Sequence, residues 1–492
     1  MTIPQTVHYK AYRPPPLGAG DRGDVTLLFG GLTWKHEQLM QVALESLGYR
    51  CAPLPNIGKA DLDCGKALID AGACCPTAFT AGNLARHLRE RVASEGREQV
   101  LRRYAFVTAG SCGPCRFGQY HESYAMALAG IGLEPLRMFL LDQYHLESQG
   151  QDGSAIDVNL PFTLAAVWAL MIGDLLTDLE YMTRPYETLP GATATVLRQS
   201  VERMARALCE APPQRGRWRT VAWYLASRHH TRALAEVRAL WSGIEVDRLR
   251  VRPKVKITGE FWLQTHEGEG NHDIKRWLER EGAEVVPPPV TVWLDYVLAW
   301  FERSLDERRH KVDRYAMRKT LVVALRRWLR REYDRLRHAL GDLPRELPRQ
   351  EELAQLAAPF FHPGLEGGEG YMLIGKALHA LRHRSAHMVC ELSPYGCLPN
   401  TMSVGAMAQV LGRHPELLYA PIEIKGDAEV HALSRCQMVL AEARIRAQEE
   451  FDQALHASAM NMAQLRAVEA AHPALMRADY RIAPRGRAGT GA

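Results

Sequence analysis

Long hydrophobic runs are missing from this 492-residue sequence, and so is a large excess of either charge. The longest apolar stretch runs from Pro161 through Ala165, Trp168 and Met171 to Gly173, and it stops at Asp174. That is short of the roughly 20 residues a membrane span requires, so it reads as a buried helix. With 61 Lys+Arg against 56 Asp+Glu the formal net charge is +5, which excludes a polybasic tail protein. Residues 1–24 are Pro-rich and polar and lack a charged-then-apolar signal pattern, so an extended N-terminal segment and a cytoplasmic location are expected.

Nucleotide fingerprints are also absent. No glycine motif of dinucleotide spacing follows Val25 or Val255. Gly370-Tyr371-Met372-Leu373-Ile374-Gly375-Lys376-Ala377 approaches a phosphate loop, but Ala377 stands where Ser or Thr should hold magnesium, and the apolar middle reads as helix. The chain is therefore not expected to hydrolyse ATP alone. A zinc-protease motif is missing too, because His266 and His272 lie six apart.

Cysteine is scarce. Ten in a chain of this length, unevenly spread, do not make a disulfide scaffold. Cys64, Cys74, Cys75, Cys112 and Cys115 are clustered, and Cys390 and Cys397 sit far downstream. Cys51, Cys209 and Cys436 stand apart and read as buried small hydrophobes.

What is present is ordinary globular material, 47% hydrophobic and 24% charged. Val25 to Phe29, a helix over about 36–47 and a second run at Tyr49 to Leu54 predict a β-α-β unit. A similar pattern returns at Val255 to Thr258, with a helix from Ile274 to Arg280 and Val285-Val286. The expected fold is α/β, with two Rossmann-like lobes built on parallel sheets plus helical insertions. Its segments are an extended 1–24, a first lobe 25–159, a helical insertion 160–250, the start of the second lobe 251–289, a basic helical insertion 290–368, the remainder of the second lobe 369–427, C-terminal helices 428–484 and a disordered tail 485–492.

The basic insertion carries 13 Lys+Arg and 5 Asp+Glu between Arg303 and Arg337. A solvated mixed-charge helix is the plain reading, and an acidic protein or coenzyme A phosphates are the alternatives. No zinc-finger, RNA-recognition or helix-turn-helix signature accompanies the charge, so nucleic acid is not expected.

Cys75-Pro76 and Cys397-Leu398-Pro399 each open a helix, with Thr77 and Thr401 as N-caps or first-turn residues. A strand at Tyr104 to Thr108 runs into Gly110-Ser111-Cys112-Gly113-Pro114-Cys115, and one at His387 to Val389 runs into Cys390. Loops at the C-terminal ends of strands are where open α/β sheets bind ligands. Cys112 and Cys115 alone suggest a thioredoxin-like dithiol, whereas four thiolates would make a closed zinc site. Thiolates dispersed over several loops suit an iron–sulfur cluster, the preferred reading. Gly110, Gly113 and Gly396 would let backbone amides approach its sulfurs. Arg116 offers a positive charge beside it. Gln119 and Tyr120 offer neighbouring polar groups. Glu260, at the end of the Val255 strand, is the acid/base candidate, ahead of His266, Glu267, Glu269 and His272 on the loop that follows and of His36 in the first lobe.

Four segments carry a family resemblance: Ala73 to Leu84, Gly110 to Tyr120, Gly259-Glu260-Phe261-Trp262 and Glu391 to Asn400. Together they resemble 2-hydroxyacyl-CoA dehydratase-like proteins, more narrowly the activator-related proteins of 2-hydroxyglutaryl-CoA dehydratase, kin to the double-cubane cluster proteins. The stretch Gly173 to Glu187 is similar to that group as well. The resemblance implies a [4Fe–4S] or double-cubane centre between two lobes, held by Cys75, Cys112, Cys115, Cys390 and Cys397, with Cys64 and Cys74 as further thiols. It implies electrons delivered by an actin/Hsp70-like ATPase carrying its own [4Fe–4S] cluster. An acyl-CoA or other small-molecule substrate and a second copy of the chain are the other partners it allows. The expected activity is a reductive or dehydratase reaction, or electron transfer without a substrate of its own.

Overall fold

The computed structural model describes residues 23–110, 115–142, 158–210, 217–365, 368–426 and 428–481. The N-terminal segment to residue 22, Cys112, Gly113 and the tail 485–492 lie outside the described residues.

The first lobe runs β1 (Thr26–Phe29), α1 (Trp34–Glu45), β2 (Arg50–Pro53), α2 (Lys59–Leu68), α3 (Cys75–Glu95), α4 (Arg97–Arg103), β3 (Tyr104–Gly110), α5 (Tyr120–Gly130) and β4 (Arg137–Asp142). Helices follow: α6 (Leu160–Thr183), α7 (Ala192–Cys209), α8 (Arg217–Ala226) and α9 (His229–Trp241). The second lobe opens with β5 (Lys254–Gly259), α10 (Phe261–Thr265), α11 (Ile274–Arg280) and β6 (Glu284–Val286). After α12 (Val290–Glu307), α13 (Tyr315–Ala339) and α14 (Gln350–Ala357) it resumes with α15 (Tyr371–Arg382), β7 (Met388–Pro394), α16 (Leu398–Arg413) and β8 (Leu418–Ile424). The helices α17 (Glu429–Ala457) and α18 (Met462–Ala471) follow.

Among the described residues each lobe holds a four-stranded parallel sheet, ordered β2-β1-β3-β4 in the first and β6-β5-β7-β8 in the second. The fold is thus α/β with two lobes of one plan, as the two β-α-β patterns predict. Strand order reverses between β1 and β3 and between β5 and β7, and ligand crevices form outside the carboxyl ends of strands at such points.

Matching β3 with β7 corrects the pairing of the cysteine motifs. The helix α3, opened by Cys75-Pro76, precedes β3, whereas α16, opened by Cys397, follows β7. Cys115, which follows β3, is therefore the topological counterpart of Cys397. The counterpart of the α3 N-terminus is that of α15, preceded by Glu369 and Gly370. The near-miss phosphate loop is the helix α15, and Lys376 lies buried within it.

The two insertions, distant in sequence, share one core. Trp168, Met171 and Leu175 of α6, Val201 and Met204 of α7, Trp241 of α9 and Tyr333 and Leu336 of α13 are buried together, with Leu39 and Ala43 of α1. By length and composition α6 passes for a membrane span, with a mean hydropathy of 1.7 over its most apolar window, yet 72% of that window is buried inside the protein. It is a core helix, and it is longer than the apolar run because Asp174, Asp178 and Glu180 continue it. Each of these acids has a partner. Asp174 accepts from the Val290 and Thr291 backbone N–H groups at 2.7 and 2.8 Å, capping α12, and lies 3.1 Å from His36 Nε2. Asp178 binds Arg345, which also pairs with Glu284. A Cβ at Gly173 would strike the His36 ring, so glycine is what lets α1 and α6 close.

Part of the basic run is neutralised within the fold. Arg326 binds Asp295, Glu302 and Glu351, Arg330 binds Asp295, and Lys319 binds Asp306.

Candidate functional site

Four helical N-termini meet where the two lobes face each other, and each N-cap carries a sulfur or a carboxylate. Cys74 caps α3, Cys115 caps the short 3-10 helix Arg116–Gln119, Glu260 caps α10 and Cys397 caps α16. Thr77 and Thr401, expected as caps or first-turn residues, are first-turn residues behind cysteine caps. An N-cap side chain lies beside unpaired backbone N–H groups and the positive end of the helix dipole, which suits thiolate and carboxylate.

The caps are mutually close. A Cβ built on Gly396 would lie 3.9 Å from the Cys74 Cα and 4.0 Å from an Arg116 guanidinium nitrogen, which brings the residue before Cys397 against the first lobe's cysteine motifs. Gly396 takes φ +77°, a conformation that favours glycine. Cys74 Sγ is 3.1 Å from Thr77 Oγ1 and 3.2 Å from the buried Tyr120 hydroxyl. Cys75 is the first helical residue and is buried beside it. Cys397 Sγ is 3.5 Å from Asn400 Oδ1. Across the lobe boundary, the Phe79 and Trp262 rings pack with centroids 5.6 Å apart.

Burial dominates the electrostatics. It pushes the Cys115 thiol up to about 12, with the charges of Glu369, Glu260 and Cys74 adding to the effect and the Phe117 N–H opposing it. Burial likewise raises Cys397, against the Asn400 N–H and reinforced by Glu260, Glu369 and Cys115. Loss of water lifts Glu260 to about 7 despite two N–H donors, from Trp262 and Leu263 at 3.1 and 2.9 Å. Glu369 rises to about 8 through burial and the Glu260 charge, with Lys376 opposing. Cys115 and Cys397 therefore rest as thiols, and Glu260 and Glu369 exchange protons near neutrality. A bound cation would invert that balance and favour thiolates.

Of the expected ligands, Cys75, Cys115 and Cys397 come to this site. Cys390 does not. It is buried inside β7, four residues before the strand ends, where its thiol faces the free thiol of Cys436 on α17. Its motif ends in a strand longer than the expected His387 to Val389. Cys64 is beside Arg89 at 3.6 Å. Cys209 is exposed at the end of α7, unlike the buried residue expected there. Arg116 is at the site, Tyr120 bonds Cys74, and Gln119 caps α5. Of the loop after α10, His266 stacks on Trp262, Glu267 binds Lys35 of the first lobe at 2.8 Å, and Glu269 accepts from the Lys59 N–H at 2.7 Å. The loop joins the lobes.

Glu369 and Lys376 were not visible as site residues in sequence. The available signal was topological: Glu369 holds in the second lobe the place that Cys74 and Cys75 hold in the first.

Behind Cys397, Glu391 is fully buried and accepts from the Tyr419 hydroxyl at 2.6 Å and the Asn400 amide at 3.3 Å. Burial raises it to about 7 against both donors. The folded protein holds this proton more tightly than the unfolded chain, so Glu391 lowers stability as pH rises from about 4.5 towards 7. Glu391→Gln removes that slope. In urea denaturation the variant is expected to gain on the wild type by on the order of 3 kcal/mol between pH 4.5 and pH 7.5. A constant difference would show that Glu391 is ionised throughout.

No family model matches the chain, and no curated protein is significantly similar to it.

Proposed function

We propose that this chain is a cytoplasmic iron–sulfur protein of the 2-hydroxyacyl-CoA dehydratase-like kind. It accepts low-potential electrons from an ATP-dependent activator for a reductive or dehydratase reaction. The observation that carries the reading is the meeting of Cys74, Cys115 and Cys397, from three separate segments and both lobes, each at a helix N-terminus, with Cys75 alongside.

The donor set fits a cluster better than a dithiol. A dithiol would use Cys112 and Cys115 alone and leave Cys74, Cys75 and Cys397 without a role, whereas a cluster takes thiolates from several segments. Sulfurs beside positive helix ends, most of them buried, suit an anionic cluster with four-coordinate irons. Cys115, Cys397 and the Cys74–Cys75 pair would hold it, and a [4Fe–4S] cluster would supply one-electron chemistry at that point. With Cys390 facing Cys436 instead, the gathered thiols favour one cubane over the roughly six thiolates of a double cubane. Glu260 and Glu369 can each hold or release a proton near neutral pH. Arg116 brings a fixed positive charge to the same edge.

Anaerobically purified protein is expected to be brown and to contain about four irons and about four sulfides per chain. Cys397→Ala and Cys115→Ala are each expected to lose most of the iron while keeping the far-ultraviolet circular dichroism of the wild type. Iron-free wild-type protein, or unchanged iron in both variants, would refute the cluster. Reduction by an actin/Hsp70-like ATPase should require ATP, and equal reduction without nucleotide would remove that partner.

A further inference from the structure

A second constellation lies apart from the cysteines. His379 stands in the last turn of α15 and His383 caps that helix four residues on, so the two imidazoles project from one helical face. Glu352 comes from the first turn of α14. The two helices pack closely because position 375 is glycine: a Cβ there would meet the Leu353 backbone carbonyl at 2.5 Å. The histidine rings are 4.3 Å apart between centroids. Both point a nitrogen at one carboxylate, His383 Nε2 at 2.8 Å and His379 Nε2 at 3.8 Å. One ligand atom from each residue falls within 4.8 Å of the others, a separation that modest side-chain movement closes to a shared ion.

We propose that Glu352, His379 and His383 form a zinc-type divalent metal site that clips α14 to α15. Two imidazoles and one carboxylate are the ligand chemistry of borderline ions such as zinc, and three protein ligands leave a position for water. Such a site needs neutral imidazole, and the three ligand atoms already face one another across the α14–α15 contact. The nearby cations are Lys256 and Arg382, and burial brings Lys256 down to about 7. An ion here would fix α15, the helix whose N-terminus follows Glu369, without entering the cysteine site. The proposal does not depend on the cluster.

Calorimetric titration of the purified protein with zinc is expected to show one ion bound per chain that survives in Cys115→Ala and Cys397→Ala. His383→Ala should weaken this binding by on the order of a hundredfold, and the double variant His379→Ala/His383→Ala should abolish it. Cobalt should give a visible d–d difference spectrum without a sulfur-to-metal charge-transfer band. His379 and His383 are partly exposed, so these variants should keep the wild-type melting temperature in chelator, while zinc should raise that temperature in the wild type alone. Equal zinc binding by the double variant, a thiolate charge-transfer band on the bound ion, or no binding by the wild type would each overturn the site.

Discussion

Gly82→Ala is expected to lower the stability of the protein by about 3 kcal/mol or more and, on the proposed cluster reading, to strip iron from the cysteine site. The helices α2 and α3 cross at a pair of glycines. A Cβ at Gly82 would overlap the Asp61 carbonyl, and one at Gly65 would overlap the Ala78 carbonyl. Both obstacles are backbone, so no side-chain rotation relieves them. The helices must part, and Asp61 moves with them. That carboxylate accepts from the Gly58 N–H at 2.7 Å and from Arg86 at 2.7 Å, and it lies 3.4 Å from the Asn83 amide. Its displacement therefore breaks the start of α2 as well. The consequence for function is positional, because α3 presents Cys74 and Cys75 from its N-terminus. Gly405→Ala is the matched control: Gly405 is exposed within α16, nothing lies within 4 Å of where its Cβ would stand, and a stabilisation of about 0.5–1 kcal/mol is expected. Urea denaturation and iron content of the two variants check both arms. Equal stabilities would show that the α2–α3 crossing tolerates a methyl group.

The same crossing marks how far the sequence could be read. The β-α-β units were legible because parallel strands buried on both faces appear as short apolar runs, and the helix from Ile274 to Arg280 begins and ends where its pattern does. A gathering of thiols was expected from cysteines dispersed over strand-end and helix-start loops, but the choice of Cys75, Cys115 and Cys397 came through the resemblance, since no local rule says which loops meet. Cys390 misled because a buried strand carries cysteine as readily as valine, and the end of β7 lay beyond the expected one. Glu369 was hidden by an apolar helix start, since its role appears only when the two sheets are superposed strand by strand. The acids of α6 were hidden for the opposite reason. Charges usually end a buried run, whereas Asp174, Asp178 and Glu180 continue one by pairing with partners more than a hundred residues away.

Lys35→Met is expected to cost about 3–5 kcal/mol at neutral pH, as removing one partner from a buried ion pair does. Lys35 is completely buried at the start of α1, and its ammonium donates to Glu180 at 2.6 Å and to Glu267 at 2.8 Å. Burial opposes its charge, but the two carboxylates outweigh burial and hold its pKa above the ordinary lysine value. Glu267 shows the reverse balance: burial alone would raise it, yet Lys35 and then Lys275 bring it to about 2. In the wild type this depressed carboxylate adds stability above about pH 4.5 that is lost as pH falls towards 2. Methionine fills the space but leaves two carboxylates without their ammonium. The deficit of the variant should therefore be largest at neutral pH and should shrink as pH falls towards 4, where Glu267 regains a proton. A double variant, Lys35→Met with Glu267→Gln, is expected to recover a large part of the loss, because the orphaned charge is then gone. Lys35 follows β1, Glu267 follows β5 and Glu180 lies on α6, so the ion cluster joins both lobes to the helical core. If the double variant stays as unstable as Lys35→Met, the charge balance is not what holds this junction, and the apolar contact of Phe79 with Trp262 must carry more of it.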